Sequence, residues 1–404
     1  MLRYGKVLVV APIIGSTGNA VNERQIVITI SKYSKHVLVL TPLSISAIVM
    51  RLRKYLTYNK LQNITILPIP FTVLYEHLWI CGIVLHVLYS FVLFVFVYLL
   101  DLVLNFDFIY VRDSRFAIFI SFSKRLARKS FVKIATILED ELRVRFLKKL
   151  FENVVQSMER HVIKRVAGIV VHSFDFAKHL VLKRRILPRI IIVMPPGITL
   201  SLIDIVKRHC LRKRIVENEV IVGFLGQLQW WQGVDILCDI IAELKMRGLR
   251  ARLKVIGDGP LRRWLVNRCR DLGIEVEITG FLSHHKALCI ARKEFDVLIL
   301  PRVATDTTSS TVPIKVIEAL ALEIPVVITD LPIYEELKGK GLYTSKRTPK
   351  DFADAILKAF TTPSQSLGYE YLRKYFYEHS VANLIKVASE IPSIENQRRE
   401  KDSS

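Results

Sequence analysis

Residues 295–330 read FDVLILPRVATDTTSSTVPIKVIEALALEIPVVITD, and this stretch decides the fold class. The apolar run Val297 to Leu300 is too short for a helix and is followed by a proline, which predicts a buried strand. A polar loop leads to a helix predicted from Pro313 to about Leu322, and a second strand is predicted at Val326 to Thr329. The order strand, loop, helix, strand predicts a parallel sheet, whose ligand-binding loops lie at its carboxyl edge.

The start of this helix combines groups that suit a phosphate or a pyrophosphate. Ser310 or Thr311 is expected to cap the helix, whose free N–H groups and positive dipole end attract anions. Lys315 lies in the first turn, where the dipole disfavours a cation unless an anion is close. Glu318 shares a face with Lys315 and suits the paired hydroxyls of a ribose. An ordinary surface Lys–Glu pair is the alternative explanation of the same spacing.

The pattern P-x-K-x-x-E-A-x-A, followed by x-x-P-V-V, resembles the nucleotide-sugar motif of the retaining glycosyltransferase family 4. The resemblance implies an α/β GT-B fold, in which two Rossmann-like domains face each other across a cleft. It also implies that Glu318 holds the ribose of the donor and that the loop before the helix meets the diphosphate. Many members carry a second glutamate where this chain has Ser310, so the contacts to the donor sugar differ here.

Three further turns resemble donor-binding elements of the same family. Gly226 opens a turn similar to the family's G-R-L-x-x-x-K-G element, whose arginine and lysine grip the diphosphate. Those two positions are the neutral Gln227 and Gln232, so the lysine of the P-x-K motif must supply more of the anion binding. Gly257 belongs to a G-x-G-P element, and the turn at Phe281 corresponds to the neighbourhood of the nucleobase.

Two features of the N-terminal half are also assigned to ligand contacts. Gly18 lies in the loop after the first predicted strand, where glycine lets the backbone approach a ligand; an ordinary turn explains it nearly as well. Glu139 and Asp140 follow the predicted strand that ends at Leu138, so both are expected at its carboxyl end. The resemblance implies contact with the transferred sugar or the acceptor, and an acidic pair at a helix start is the alternative.

The resemblance implies transfer of a sugar from a nucleotide diphosphate sugar to a lipid-linked or glycan acceptor. We assign stabilisation of the leaving diphosphate to backbone amides, the helix dipole and Lys315, without a metal or another cofactor. Glu318, Glu139 and Asp140 complete the candidate catalytic set. Two alternatives stay open: a nucleotide-sugar epimerase or phosphorylase on the same fold, and a non-catalytic partner subunit, suggested by the neutral donor turn and by Ser310.

The chain of 404 residues is long enough for two domains. We predict an N-terminal acceptor-side domain at 1–200, a linker at 201–218, a nucleotide-sugar domain at 219–375, and a helix with a basic tail at 376–404. The last helix is expected to return to the first domain. No signal peptide precedes the first predicted strand.

Residues 78–100 form the longest apolar run and carry no formal charge. A helix of that length measures about 35 Å, which is enough to cross a bilayer. A crossing would separate the strands before it from those after it, although all are predicted to share one sheet. We therefore predict a helix that packs on the sheet and dips an apolar face into one leaflet. A fully buried helix is the alternative.

The composition supports a membrane partner more than a nucleic acid. The net charge is +22 and hydrophobic residues make up 51% of the chain, a combination that suits an anionic membrane surface. Lysines and arginines are dense after the apolar run, from Lys124 to Lys149. No zinc spacing or RNA-binding motif is recognisable. We expect a peripheral or monotopic protein on the cytoplasmic side of the cell membrane, with no nucleic-acid partner.

The cysteines predict an intracellular protein with reduced thiols. There are five, scattered through the chain and without a C-x-x-C motif: Cys81, Cys210, Cys238, Cys269 and Cys289. An odd number of unclustered cysteines is typical of buried thiols rather than of a disulfide framework.

Overall fold

The computed structural model describes residues 4–13, 18–43, 63–70, 79–135, 145–211, 219–305, 308–309, 311–361 and 369–402. The chain divides into two compact units. Unit 1 comprises Met1–Pro195 and Tyr377–Ser404, and unit 2 comprises Pro196–Phe376. Each unit is built on one parallel sheet flanked by helices, so the predicted α/β class is confirmed.

Unit 1 is organised around a sheet of seven described strands in the order β3-β2-β1-β4-β5-β6-β7, and every neighbouring pair is parallel. The central strands read as continuous apolar runs because helices cover both faces. The strands are β1 (Tyr4–Val10), β2 (Ser34–Leu43), β3 (Ile64–Pro70), β4 (Phe108–Arg112), β5 (Ser130–Lys133), β6 (Gly168–Val171) and β7 (Ile191–Val193). The helices are α1 (Gly18–Tyr33), α2 (Trp79–Leu104), α3 (Ser114–Ala117), α4 (Lys124–Ala127), α5 (Arg145–Arg165) and α6 (Phe174–Arg184).

Unit 2 contains the stretch from which the fold class was predicted. Its six described strands are parallel in the order β10-β9-β8-β11-β12-β13. They are β8 (Glu219–Leu225), β9 (Arg250–Ile256), β10 (Val276–Ile278), β11 (Val297–Leu300), β12 (Val326–Thr329) and β13 (Leu342–Ser345). The helices are α7 (Leu200–His209), α8 (Leu237–Met246), α9 (Arg262–Asp271), α10 (His284–Glu294), α11 (Ile314–Ala321), α12 (Pro349–Thr361) and α13 (Tyr369–Leu372).

The last helix, α14 (Tyr377–Asp402), belongs to unit 1 although it follows unit 2 in the chain. Val381 and Leu384 are fully buried and join Ile26 of α1 in one core cluster. Lys32 at the other end of α1 pairs with Glu378 at 3.0 Å. These contacts attach the C-terminal segment to the first sheet.

The predicted linker at 201–218 is wrong over its first half. Residues 200–209 form α7, whose Ile203 and Val206 are fully buried in the core of unit 2. The basic residues that suggested a linker lie in the last turn of this helix, where they complement its dipole. Residues 212–218 lie outside the described residues.

The expectation of reduced thiols is wrong for four of the five cysteines. Cys210 is bonded to Cys289, and Cys238 is bonded to Cys269, both within unit 2. The partners are 79 and 31 residues apart, so no local spacing could have indicated the pairs. Cross-links that close loops of this size typically stabilise a protein by roughly 3–5 kcal/mol. The side chain of Cys81 lies outside the described residues.

Helix α2 presents two different faces. Tyr89, Leu93 and Val97 are buried against the sheet. The opposite face exposes large apolar side chains: Leu88, Phe91, Phe96, Leu99, Leu102 and Val103. Among the described helices, α2 is the one long and apolar enough to cross a membrane, and only 28% of Val87–Leu104 is buried. A fully buried helix is therefore excluded over that span.

A buried charge network stabilises the carboxyl ends of β4 and β5. Glu23 of α1 is fully buried and accepts hydrogen bonds from Tyr110 at 3.0 Å, Arg112 at 2.5 Å and Lys133 at 2.9 Å. Burial alone would raise the pKa of Glu23, but Lys133 and Arg112 hold the pKa of this carboxyl below its usual value. The carboxylate thus compensates Lys133, which is buried, and Arg112, which is largely buried.

We predict that Glu23→Gln destabilises unit 1 by about 3–5 kcal/mol, because it leaves Lys133 and Arg112 buried without a counter-charge. The measurement is denaturant unfolding followed by a probe in unit 1. Lys32→Met is the matched control, since its pair with Glu378 is partly exposed and contributes about 1 kcal/mol or less. Equal shifts of the unfolding midpoint for the two variants would contradict the assignment.

Candidate functional site

Two glycine turns lie side by side at the carboxyl edge of the unit 2 sheet. Gly226 follows β8 with φ +144°, and Gly257 follows β9 with φ +146°, conformations that other residues rarely adopt. A Cβ atom on Gly257 would lie 1.9 Å from the carbonyl oxygen of Gly226. A Cβ atom on Gly226 would lie 2.3 Å from Lys315 Nζ. Only glycine therefore permits this close approach of two turns and a lysine.

Lys315 extends from the first turn of α11 to the Gly226 turn. Its Nζ donates to Gln232 Oε1 at 3.3 Å and lies 5.7 Å from the centroid of the Phe224 ring. Burial lowers the pKa of Lys315 to about 7, the nearby Arg302 acts in the same direction, and Glu318 opposes them. An anion beside Lys315 would favour the protonated form.

Arg302 is a second cation at this edge that the sequence reasoning missed. It follows β11 directly, and its Nε and Nη1 are buried without a hydrogen-bond partner among the described residues. The guanidinium also lies near the Tyr334 hydroxyl: burial raises the pKa of Tyr334, and Arg302 lowers it. One feature of the sequence could have indicated that Arg302 belongs to the site: it follows Pro301, at the carboxyl end of a predicted strand. Two adjacent cations with buried donors suit a polyanion.

Glu318 is buried and bonded to a histidine from another helix. Its side chain is 4% exposed, and Oε1 lies 2.5 Å from His284 Nε2 at the start of α10. His284 is half-buried, whereas the neighbouring His285 is exposed. The burial of Glu318 also excludes the explanation of a surface pair with Lys315. No sequence signal relates positions 284 and 318.

The start of α11 differs from the prediction in its cap. The helix begins at Ile314, and Pro313 occupies the capping position with φ −65°, where it has no side-chain acceptor for the first amides. The expected capping position at Ser310 or Thr311 is wrong because the helix begins only after the proline. Thr311 is half-buried, and Ser310 lies outside the described residues. The uncapped amides point along the dipole beside Lys315, as an anion site requires.

The remaining candidate residues are distributed between the two units. In unit 2, Gln227 is exposed beside the Gly226 turn, and Phe281 is 56% exposed after β10. Gly18 begins α1 in unit 1. Glu139 and Asp140 lie outside the described residues.

The structure brings together five of the predicted site residues at one edge of the unit 2 sheet: Gly226, Gly257, Gln232, Lys315 and Glu318.

Unit 2 matches a known family. Residues 219–362 match the family described as Glycosyl transferases group 1. The putative glycosyltransferase EpsF of Bacillus subtilis is 25% identical over 156 residues, which cover 38% of this chain and 39% of EpsF. The GDP-mannose-dependent alpha-(1-6)-phosphatidylinositol dimannoside mannosyltransferase of Mycobacterium tuberculosis is 27% identical over 179 residues, 43% of this chain and 45% of the relative. The chain thus aligns with less than half the length of either relative.

Solved structures are similar to the whole fold. A glycosyltransferase from Rickettsia africae has a TM-score of 0.64 at 14% identity, covering 96% of this chain and 98% of its own. HepE of Anabaena, solved in complex with UDP and glucose, has a TM-score of 0.56 at 15% identity, covering 98% and 99%. Identities this low support similarity of fold alone.

We predict that Lys315 titrates near pH 7, whereas an ordinary lysine titrates near ~10.4. Competitive acylation at a series of pH values, followed by mass spectrometry, measures this directly. Lys254 is the internal control, because its pairs with Glu277 and Glu294 outweigh burial and raise its pKa. Arg302→Met should raise the pKa of Lys315 by removing a like charge. A Lys315 midpoint near that of ordinary lysines in the unliganded protein would contradict the site's electrostatics.

Proposed function

We propose that this chain, whose unit 2 belongs to the glycosyl transferases group 1 family, transfers a sugar from a nucleotide diphosphate sugar to a lipid-linked or glycan acceptor. The observation that carries the proposal is the cluster of Lys315, Arg302 and two glycine turns beside the buried Glu318. Retention at the anomeric carbon follows from the family resemblance. HepE, which has a similar fold, was solved with UDP and glucose, which supports a nucleotide-sugar donor.

The donor diphosphate would bind at the start of α11. Lys315 and Arg302 supply the positive charge there, in place of the arginine and lysine that the family carries at the positions of Gln227 and Gln232. Gln232 retains a role because its amide oxygen accepts a hydrogen bond from Lys315 and directs the ammonium. Pro313, the capping residue, has no side-chain acceptor, so the first amides of α11 can bind phosphate oxygens.

The ribose would bind to Glu318. His284 Nε2 lies against Oε1 of this carboxylate, which leaves Oε2 to accept hydrogen bonds from ribose hydroxyls. The histidine also fixes the orientation of the carboxylate, so its conformational entropy is already lost before the donor binds. Phe281, exposed after β10, is the candidate contact of the nucleobase.

Catalysis would rest on electrostatic stabilisation of the leaving group. As the bond between the anomeric carbon and the diphosphate oxygen breaks, negative charge grows on the diphosphate. Lys315, protonated when an anion is beside it, and Arg302 stabilise that charge where water is largely excluded. The acceptor hydroxyl then attacks the anomeric carbon, and its proton passes to the oxygen of the leaving diphosphate. Glu139 and Asp140 stay the candidate contacts on the acceptor side.

The acceptor is proposed to be membrane-bound. The exposed apolar face of α2 suits insertion into one leaflet, and the basic residues of unit 1 suit anionic headgroups. The mycobacterial relative is named for a phosphatidylinositol dimannoside, which is a lipid-linked glycan. We place the protein at the cytoplasmic face. The two disulfides are compatible with that location in organisms whose intracellular proteins are disulfide-rich, such as hyperthermophiles.

Glu318→Ala should weaken the binding of the preferred nucleoside diphosphate roughly 10- to 150-fold, because it removes a charged hydrogen-bond partner of about 1.5–3 kcal/mol. Pyrophosphate binding should be nearly unchanged, whereas Lys315→Met should weaken both ligands. Calorimetry with UDP, GDP, ADP and pyrophosphate distinguishes these outcomes. Glu335→Gln, in an exposed pair with Lys338, is the control. Unchanged nucleotide affinity in a folded Glu318→Ala protein would refute the ribose assignment.

Replacing Phe96 and Leu99 with serine should weaken vesicle binding at least tenfold per residue, since an inserted phenylalanine or leucine contributes about 1.5–3 kcal/mol. Both side chains are about half exposed, so the fold should persist. Sedimentation with phosphatidylcholine–phosphatidylglycerol vesicles at several salt concentrations measures the effect. Met246→Ser, at an exposed apolar residue of unit 2, is the control. Vesicle binding equal to that of the unsubstituted protein would disprove insertion of α2.

A further inference from the structure

A strongly basic pocket of about 460 Å³ lies in unit 1, away from the carboxyl edges at which the proposed chemistry takes place. Its cations are Lys124, Arg128, Lys164, Arg165 and Arg189. They precede β5, β6 and β7 in the chain, and parallel strands begin at one common edge. The pocket therefore lies at the amino edge of this sheet, whereas sugar-transfer sites of open α/β sheets lie at carboxyl edges.

Basic residues predominate in the described lining of this pocket. None of its described lining residues is acidic, and no ion pair of Lys124, Lys164 or Arg165 occurs among the described residues. His161 lies among the cations, and its pKa is lowered by burial and by Arg165 and Lys164. Cations held this close repel one another, so the arrangement favours a bound anion.

The pocket is continuous with the apolar face of α2. Phe122 is 59% exposed and packs on His161 of the pocket, with ring centroids 4.3 Å apart. Three residues earlier, Phe119 contacts Phe91 on the exposed face of α2, with ring centroids 5.4 Å apart. An apolar surface that ends at a cluster of cations is complementary to the boundary between acyl chains and phosphate headgroups.

Buried ion pairs fix the position of the apolar face of α2 relative to the basic pocket. Asp101, near the end of α2, is fully buried. It accepts hydrogen bonds from Arg125 of α4 at 2.7 Å and from Lys129 at 2.6 Å. The helix that carries the apolar face is thereby fixed to the segment that carries Lys124 and Arg128.

We propose that this pocket binds the phosphate of an anionic phospholipid while the apolar face of α2 enters the same leaflet. The proposal rests on the membrane location in the proposed function but not on sugar transfer. Guanidinium groups bind phosphate oxygens through paired hydrogen bonds, and Arg128, Arg165 and Arg189 supply three of them in the pocket. The pocket is thus a lipid-docking site distinct from the donor site of unit 2.

The test compares two triple variants of the full-length protein with equal change in charge. Lys124, Lys164 and Arg165 are replaced by glutamine in the pocket, and Arg250, Arg263 and Lys350, exposed in unit 2, are replaced by glutamine in the control. Binding to phosphatidylcholine vesicles containing phosphatidylglycerol should fall roughly a hundredfold in the pocket variant, at about fivefold per charge. The control should lose less than tenfold. All six side chains are exposed, so circular dichroism should show a preserved fold.

A second readout examines the pocket itself. Titration with short-chain phosphatidylglycerol should raise the pKa of His161, measured by NMR, because the phosphate offsets Arg165 and Lys164. An unmoved His161, or equal losses in the two triple variants, would overturn the proposal.

Three further outcomes distinguish phospholipid binding in the pocket from three alternatives: membrane insertion by α2 alone, binding of free phosphate, and binding of a nucleic acid. If Phe96→Ser and Leu99→Ser abolish vesicle binding and the pocket variant does not, the membrane location holds and the pocket proposal fails. If inorganic phosphate saturates the pocket without weakening vesicle binding, the ligand is a free phosphate and the lipid assignment fails. If the pocket variant loses binding to double-stranded DNA and keeps binding to vesicles, the partner is a nucleic acid. Donor binding, measured by calorimetry, should be unchanged in the pocket variant.

Discussion

The desolvation of the Lys315 ammonium is the constraint on which the candidate site depends. A lysine in the first turn of a helix, beside Arg302 and against the Gly226 turn, lies in an environment that disfavours its own charge. Proteins retain such an arrangement where a ligand supplies the missing negative charge. The glycine turns, the neutral Gln232 and the uncapped amides of α11 all leave room for that ligand, whereas Glu318, fixed by His284, provides an acceptor one turn deeper.

Both units are built on a parallel sheet, but the candidate donor site of unit 2 and the basic pocket of unit 1 lie at opposite types of edge. In unit 2, the carboxyl ends of the strands carry the turns that form the candidate donor site. In unit 1, the carboxyl ends of β4 and β5 are occupied by the buried network around Glu23, and the amino edge carries the basic pocket beside α2. A parallel sheet makes this separation possible because all strands start at one edge and end at the other.

The elements that were predicted correctly are those whose signal is local. β11 and β12 were predicted with the bounds that the structure has, because each is a short apolar run next to a proline. The α/β class is confirmed, and the family resemblance carried by the P-x-K-x-x-E motif agrees with the match of residues 219–362 to Glycosyl transferases group 1. The errors concern contacts between distant positions: the two disulfides, the bond between His284 and Glu318, and Arg302 beside Lys315. The linker prediction was wrong because the cations in the last turn of α7 suggested a polar, exposed segment, although Ile203 and Val206 of the same helix are buried.

Sugar transfer is tested most directly by an assay with nucleotide sugars labelled in the sugar, incubated with the protein and a lipid extract. Label should enter the lipid fraction in equal amount to the nucleoside diphosphate released, and Lys315→Met should abolish both. Release of a sugar 1-phosphate, or an isomerised nucleotide sugar without transfer, would contradict it in favour of a phosphorylase or an epimerase. Donor binding without any turnover would contradict it in favour of a non-catalytic subunit.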